Sequence, residues 1–117
     1  WTCLLFIVVA LLLFANLHSS QGQYGTQTIS VEHPAAVSIG TGSTTVLAAK
    51  EDRRLLILIN NSDTAIWCAL NSTAAIVGRG VLLSANGGNL YMDSTTPSGG
   101  INCISSGSSK NLAATQG

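Results

Sequence analysis

Residues 53–70 read RRLLILINNSDTAIWCAL, and this stretch decides the fold class. Its first half, residues 54–60, contains five consecutive aliphatic side chains at positions 55–59. An apolar run that short, closed by the turn chemistry of Asn61-Ser62-Asp63, has the length of a strand and not of a helix. The second half, residues 64–70, carries β-branched and aromatic side chains and reads as the next strand. A strand apolar on both parities has both faces covered. The second cover is either an opposing sheet or a neighbouring subunit.

The same grammar extends outward. Residues 44–48 are β-branched and apolar, and residues 49–53 hold four of the chain's ten charges and read as an exposed connection. Downstream, residues 80–85, 89–93, 100–105 and 111–115 continue the series. Asn86-Gly87-Gly88 predicts a hairpin between two of these runs. Strand starts recur about every 10 residues, and no amphipathic helix follows residue 17. The expectation is an all-β chain: a small antiparallel β-sandwich, jelly-roll-like domain over residues 44–117. Period-2 alternation places Ile66, Cys68, Leu70, Val81, Leu83, Leu90, Ile101 and Cys103 in the core with residues 55–59. Trp67 and Tyr91 fall on the opposite parity. They are candidate interface residues together with Leu55, Ile57 and Ile59, since aromatics are enriched where proteins meet; a second buried face is the alternative.

Upstream, residues 18–43 are rich in Gly, Ser, Thr and Gln and read as an extended arm or linker with two short apolar pieces. Pro34, between those pieces, cannot donate a ladder hydrogen bond and suits an edge or a break. Residues 1–17 are a hydrophobic helix whose apolar run covers residues 3–15. Three roles stay open for it. It has the length of a signal-peptide core, with Ser20 and Gly22 before a cleavage that leaves Gln23 first. It approaches the length of a membrane anchor. It also suits an assembly helix buried among copies. In the last two cases Leu4, Leu5, Phe6, Ile7, Leu11, Leu12, Leu13 and Phe14 make the lipid or helix contacts.

Composition narrows the function classes. The 117 residues are 46% hydrophobic and 9% charged, with net charge zero. An ordinary soluble domain carries about 25% charge. Binding nucleic acid through counterion release needs a basic surplus that is missing here. Disorder needs low hydrophobicity and high net charge. With little repulsion between copies, association is favoured.

No catalytic, cofactor or metal site is expected. The two histidines, His18 and His33, both lie in the arm, and the carboxylates Glu32, Glu51, Asp52, Asp63 and Asp93 are scattered over loops and strand ends. Gly40-Thr41-Gly42 and Gly78-Arg79-Gly80 precede strands, whereas a phosphate loop needs a helix N-terminus behind it. Cys3 is a small hydrophobe in the apolar run. Cys68 and Cys103 face the core; on neighbouring strands they can form a disulfide, and otherwise they are two buried thiols. The sequons at Asn60 and Asn71 matter only in a eukaryotic secretory pathway.

From residue 44 onward the order of features resembles the small β-sandwich structural proteins of tailed bacteriophages, of the head-decoration (cement) or head/tail-fibre type. The resemblance covers about 74 of 117 residues. Its most specific pieces are RRLLILINNSDTAIW and GVLLSANGGNLYM. It implies a non-enzymatic virion protein that binds capsid or tail subunits and copies of itself and stabilises the particle, with Cys68 and Cys103 reduced. It implies no nucleic-acid partner and no small-molecule substrate. The apolar N-terminus departs from the pattern, and through residues 1–17 it allows membrane contact. The alternative is a secreted or membrane-tethered β-sandwich surface subunit, adhesin or pilus-like, located outside the cell or anchored to it.

Overall fold

The computed structural model describes residues 29–117. The hydrophobic helix expected over residues 1–17, and with it Leu4 to Phe14, lies outside the described residues. Among those described, no helix is long and apolar enough to cross a membrane.

Eight strands form: β1 (Val37–Ile39), β2 (Thr44–Leu47), β3 (Leu56–Asn60), β4 (Ile66–Ala69), β5 (Val81–Leu83), β6 (Asn89–Met92), β7 (Ile101–Ser105) and β8 (Lys110–Gln116). They build two four-stranded antiparallel sheets, ordered β1-β8-β3-β6 and β2-β7-β4-β5. Alternation explains why these runs pair as they do. In β3, Leu56, Leu58 and Asn60 point inward and are buried, while Ile57 and Ile59 point outward and are half-buried. In β4, Ile66 and Cys68 point inward and Trp67 and Ala69 outward. The core between the sheets is made by Ile39, Leu56, Leu58 and Leu112 of one sheet and Leu47, Ile66, Leu83 and Ile101 of the other. Completely burying such side chains contributes about 1.5–3 kcal/mol each.

The chain changes sheet at almost every connection. Only β4 and β5 are consecutive strands of one sheet, and the other six connections cross over. The hairpin expected at Asn86-Gly87-Gly88 is therefore a turn between sheets: β5 pairs with β4, and β6 pairs with β3. The left-handed backbone the signal demanded is present, with φ of 60° at Asn86 and 103° at Gly87. The crossing itself depends on Gly88, where a Cβ would meet Ser84 backbone atoms at 2.3 Å.

Part of the arm belongs to the sandwich. β1 is the edge strand along β8, and Glu32 makes an isolated bridge to Gln116 further along the same edge. Between that bridge and the Val37–Leu112 pair, four arm residues face three on β8. The extra residue is a bulge, and Pro34 sits inside it, where no ladder donor is needed.

Candidate functional site

The five expected interface residues do not form one surface. Ile57 and Ile59 lie on the outer face of the β1-β8-β3-β6 sheet. Tyr91 stands opposite Ile57 there, and half-buried Leu55 immediately precedes β3. Trp67 lies on the outer face of the other sheet, paired across to Leu82 on one side and Ile104 on the other. That Ile104–Trp67–Leu82 row is an apolar stripe across three strands, ending in Leu82, which is 53% exposed. Both outer faces therefore keep large apolar side chains in water, led by Tyr91 at 60% exposure.

Beside the stripe is a cleft of about 300 Å³. Its wall combines the end of β4, through Ala69 and Leu70, with the 70–80 loop, through Thr73, Ala74, Ile76 and Arg79. The loop can fold back because Gly78 and Gly80 take φ of 84° and 85°. At Gly80 a Cβ would also come within 2.4 Å of the Cys68 carbonyl oxygen. The cleft is at the small end of the size range of ligand sites.

Two buried polar side chains fix the ends of the sandwich. Arg53, expected in an exposed connection, is instead 4% exposed. Its guanidinium donates to Gln116 Oε1 at 3.0 Å and to the carbonyls of Ala48 at 2.8 Å, Pro97 at 2.5 Å and Gly99 at 2.9 Å. Thr96 Oγ1 in turn donates to the Arg53 carbonyl. Burial lowers the Arg53 pKa, yet an arginine remains charged. At the other end Asn60 is fully buried. Its Nδ2 donates to the Thr64 and Leu83 carbonyls at 2.8 and 2.9 Å, and its Oδ1 accepts from Ser62 N at 3.0 Å and Ser62 Oγ at 2.6 Å. Every donor and acceptor of that amide is used, as a buried position requires.

Cys68 and Cys103 are directly opposed on β4 and β7, with Cα atoms 4.1 Å apart, and are joined by a disulfide. Both are fully buried. Lys110 Nζ contacts Asp63 Oδ1 at 2.7 Å, and Lys50 contacts Asp52 at 3.4 Å. The hydrogen bond from Lys110, with that from Thr64, holds the Asp63 carboxyl below its ordinary pKa. His33 Nδ1 lies 3.1 Å from Thr115 Oγ1. Among the described residues, no three His, Cys, Asp or Glu side chains gather as a metal site would require.

Sequence parity alone indicates that Trp67 and Tyr91 face outward. The cleft has no sequence signature, because its wall depends on how the 70–80 loop folds back. The glycines flanking Arg79 are its only trace in the sequence. Comparison with known protein families, with curated proteins and with solved structures returns no match.

Proposed function

We propose that the protein is a non-enzymatic structural subunit of a virion, a β-sandwich decoration or fibre-type protein that packs on capsid or tail subunits and stabilises the particle. The strand order carries this reading. Two four-stranded sheets ordered β1-β8-β3-β6 and β2-β7-β4-β5 follow the winding of a jelly roll, an architecture used in viral capsid and lectin domains. The side chains support it. Aliphatic residues fill the interior, Arg53 and Asn60 spend their polar groups largely on the protein's own main chain, and apolar surface is left on both outer faces. Work done by such a molecule is surface burial, for which a stable contact needs about 1,600 Å² in total. The test is to purify particles from a culture that expresses the chain and to identify their proteins by mass spectrometry. The chain is expected in particles at a fixed stoichiometry, and particles lacking it are expected to break at lower temperature. Its absence from every particle fraction would refute the reading.

One observation favours a second reading, the secreted or membrane-tethered surface subunit. Disulfides persist outside the reducing cytoplasm, and Cys68 and Cys103 are bridged. Released virions also meet oxidising surroundings, so the bridge fits both readings and replaces the expectation of reduced cysteines. A secreted form parts from the virion reading at residues 1–22, which secretion removes and an intact-mass measurement would find missing; a tethered form keeps them and is told apart by its recovery with membranes and its absence from particles.

A further inference from the structure

We infer that the cleft beside Arg79 is the socket of a self-assembly contact, and that its occupant is the Tyr91–Asp93 edge of a second copy. The inference rests on the structural-subunit reading above and names the residues through which copies would join.

The charges single out the partners. Lys50 and Lys110 are paired within the chain, Arg53 is buried in its own network and Arg54 is engaged. Arg79 is the one cation whose side chain has no hydrogen bond or ion pair among the described residues, and it is the one charged residue in the wall of the cleft. The rest of that wall is largely aliphatic, with Ile76 50% exposed. Such a site suits an apolar group with an anion beside it. The chain displays that combination on its other sheet. Among the described residues Tyr91 is the most exposed large hydrophobic side chain, and its hydroxyl donates to Asp93 Oδ2 at 3.4 Å, so ring and carboxylate lie together. Asp93 has no basic partner among the described residues. Glu51 likewise has no basic partner among the described residues, but its sequence neighbours are the charged Lys50 and Asp52 and not an aromatic residue.

Socket and knob sit on different sheets, β4 with its following loop on one and β6 on the other. A copy that receives a neighbour in its cleft therefore offers Tyr91 to another. That is a heterologous contact, which propagates into a ring or a filament and does not stop at a two-fold dimer. Ring burial supplies the attraction, and the Arg79–Asp93 pair sets orientation and partner choice.

The test is charge reversal in the full chain, held in mild detergent because of residues 1–17, with sedimentation velocity over a range of concentrations. Wild type is expected to form species larger than a dimer. Arg79→Glu and Asp93→Arg are each expected to weaken association about tenfold. The double variant R79E/D93R is expected to regain most of it, and Glu51→Arg to change nothing. All three side chains replaced are exposed, and unchanged far-UV circular dichroism checks the fold. A wild-type monomer at every concentration, single reversals without effect, a double variant that is not rescued, or a loss with E51R equal to that with D93R would each overturn the contact. If the chain is found in particles while the reversals do nothing, the contact fails and the virion reading stands. If the charge swap behaves as expected and no particle contains the chain, the reverse holds.

Discussion

Arg53 Nε donates to Gln116 Oε1 at 3.0 Å, and the same Gln116 side chain donates through Nε2 to Glu32 Oε2 at 3.1 Å. One buried cation thus ties the 48–53 connection, the 97–99 loop, the last strand and, through Gln116, the arm residue Glu32 ahead of the edge strand into a single polar node. Lysine cannot reproduce the planar fork that reaches those acceptors. Arg53→Lys is expected to cost about 3 kcal/mol by leaving buried carbonyls unpaired, read as a lower urea midpoint with an unchanged slope. An unchanged midpoint would mean that the node is dispensable.

The Asn60 amide couples the two sheets, since it belongs to β3 and donates to Leu83 of β5. Asn60→Asp keeps the shape but turns a donor into an acceptor facing the Thr64 and Leu83 carbonyls. A loss of about 3 kcal/mol is expected, which for a domain of this size lowers Tm by roughly 15 °C. Thermal unfolding followed by circular dichroism measures it.

The disulfide joins cysteines 35 positions apart. Closing a loop of that size stabilises by about 3–4 kcal/mol in the chain-entropy account. Cys68→Ala with Cys103→Ala is expected to lower stability by that order. Wild type in reductant is expected to follow it, and reductant should leave the double variant unchanged.

For Asp63 the sign follows from the Lys110 contact. Its pKa is lower in the folded state than in the unfolded state, so the stabilisation is present above the ordinary carboxylate value and is lost as pH falls through the folded one. NMR titration is expected to find Asp63 titrating below an ordinary aspartate, and Lys110→Met to move it back up. The group is exposed, so added salt should shrink the difference.

Much of the strand inventory was legible because each strand is a short apolar or alternating run cut by Asn, Gly or Ser. Residues 54–60 and 100–105 coincide with β3 and β7 to within two residues. Pairing was not legible. A turn signal such as Asn86-Gly87-Gly88 reports local backbone, and local backbone does not say whether the next strand returns beside its predecessor or crosses to the facing sheet. The burial of Arg53 was hidden for a related reason. Five charged residues in succession, 50–54, read as solvated, and only the carbonyls of Ala48, Pro97 and Gly99, two of them more than forty residues away, make the exception. β1 was ambiguous because three residues with a nearby proline carry too little pattern to separate an edge strand from a linker.

β8 lies between β1 and β3, so the last of the eight strands to be synthesised is an inner one of its sheet. Nascent chains that stop short of residue 110 have nothing to zip the first and third strands together. The domain is therefore expected to fold only after residue 116 has cleared the ribosomal exit, with its aliphatic runs uncovered until then. Stop codons anywhere upstream are expected to yield degraded protein with no smaller folded remnant.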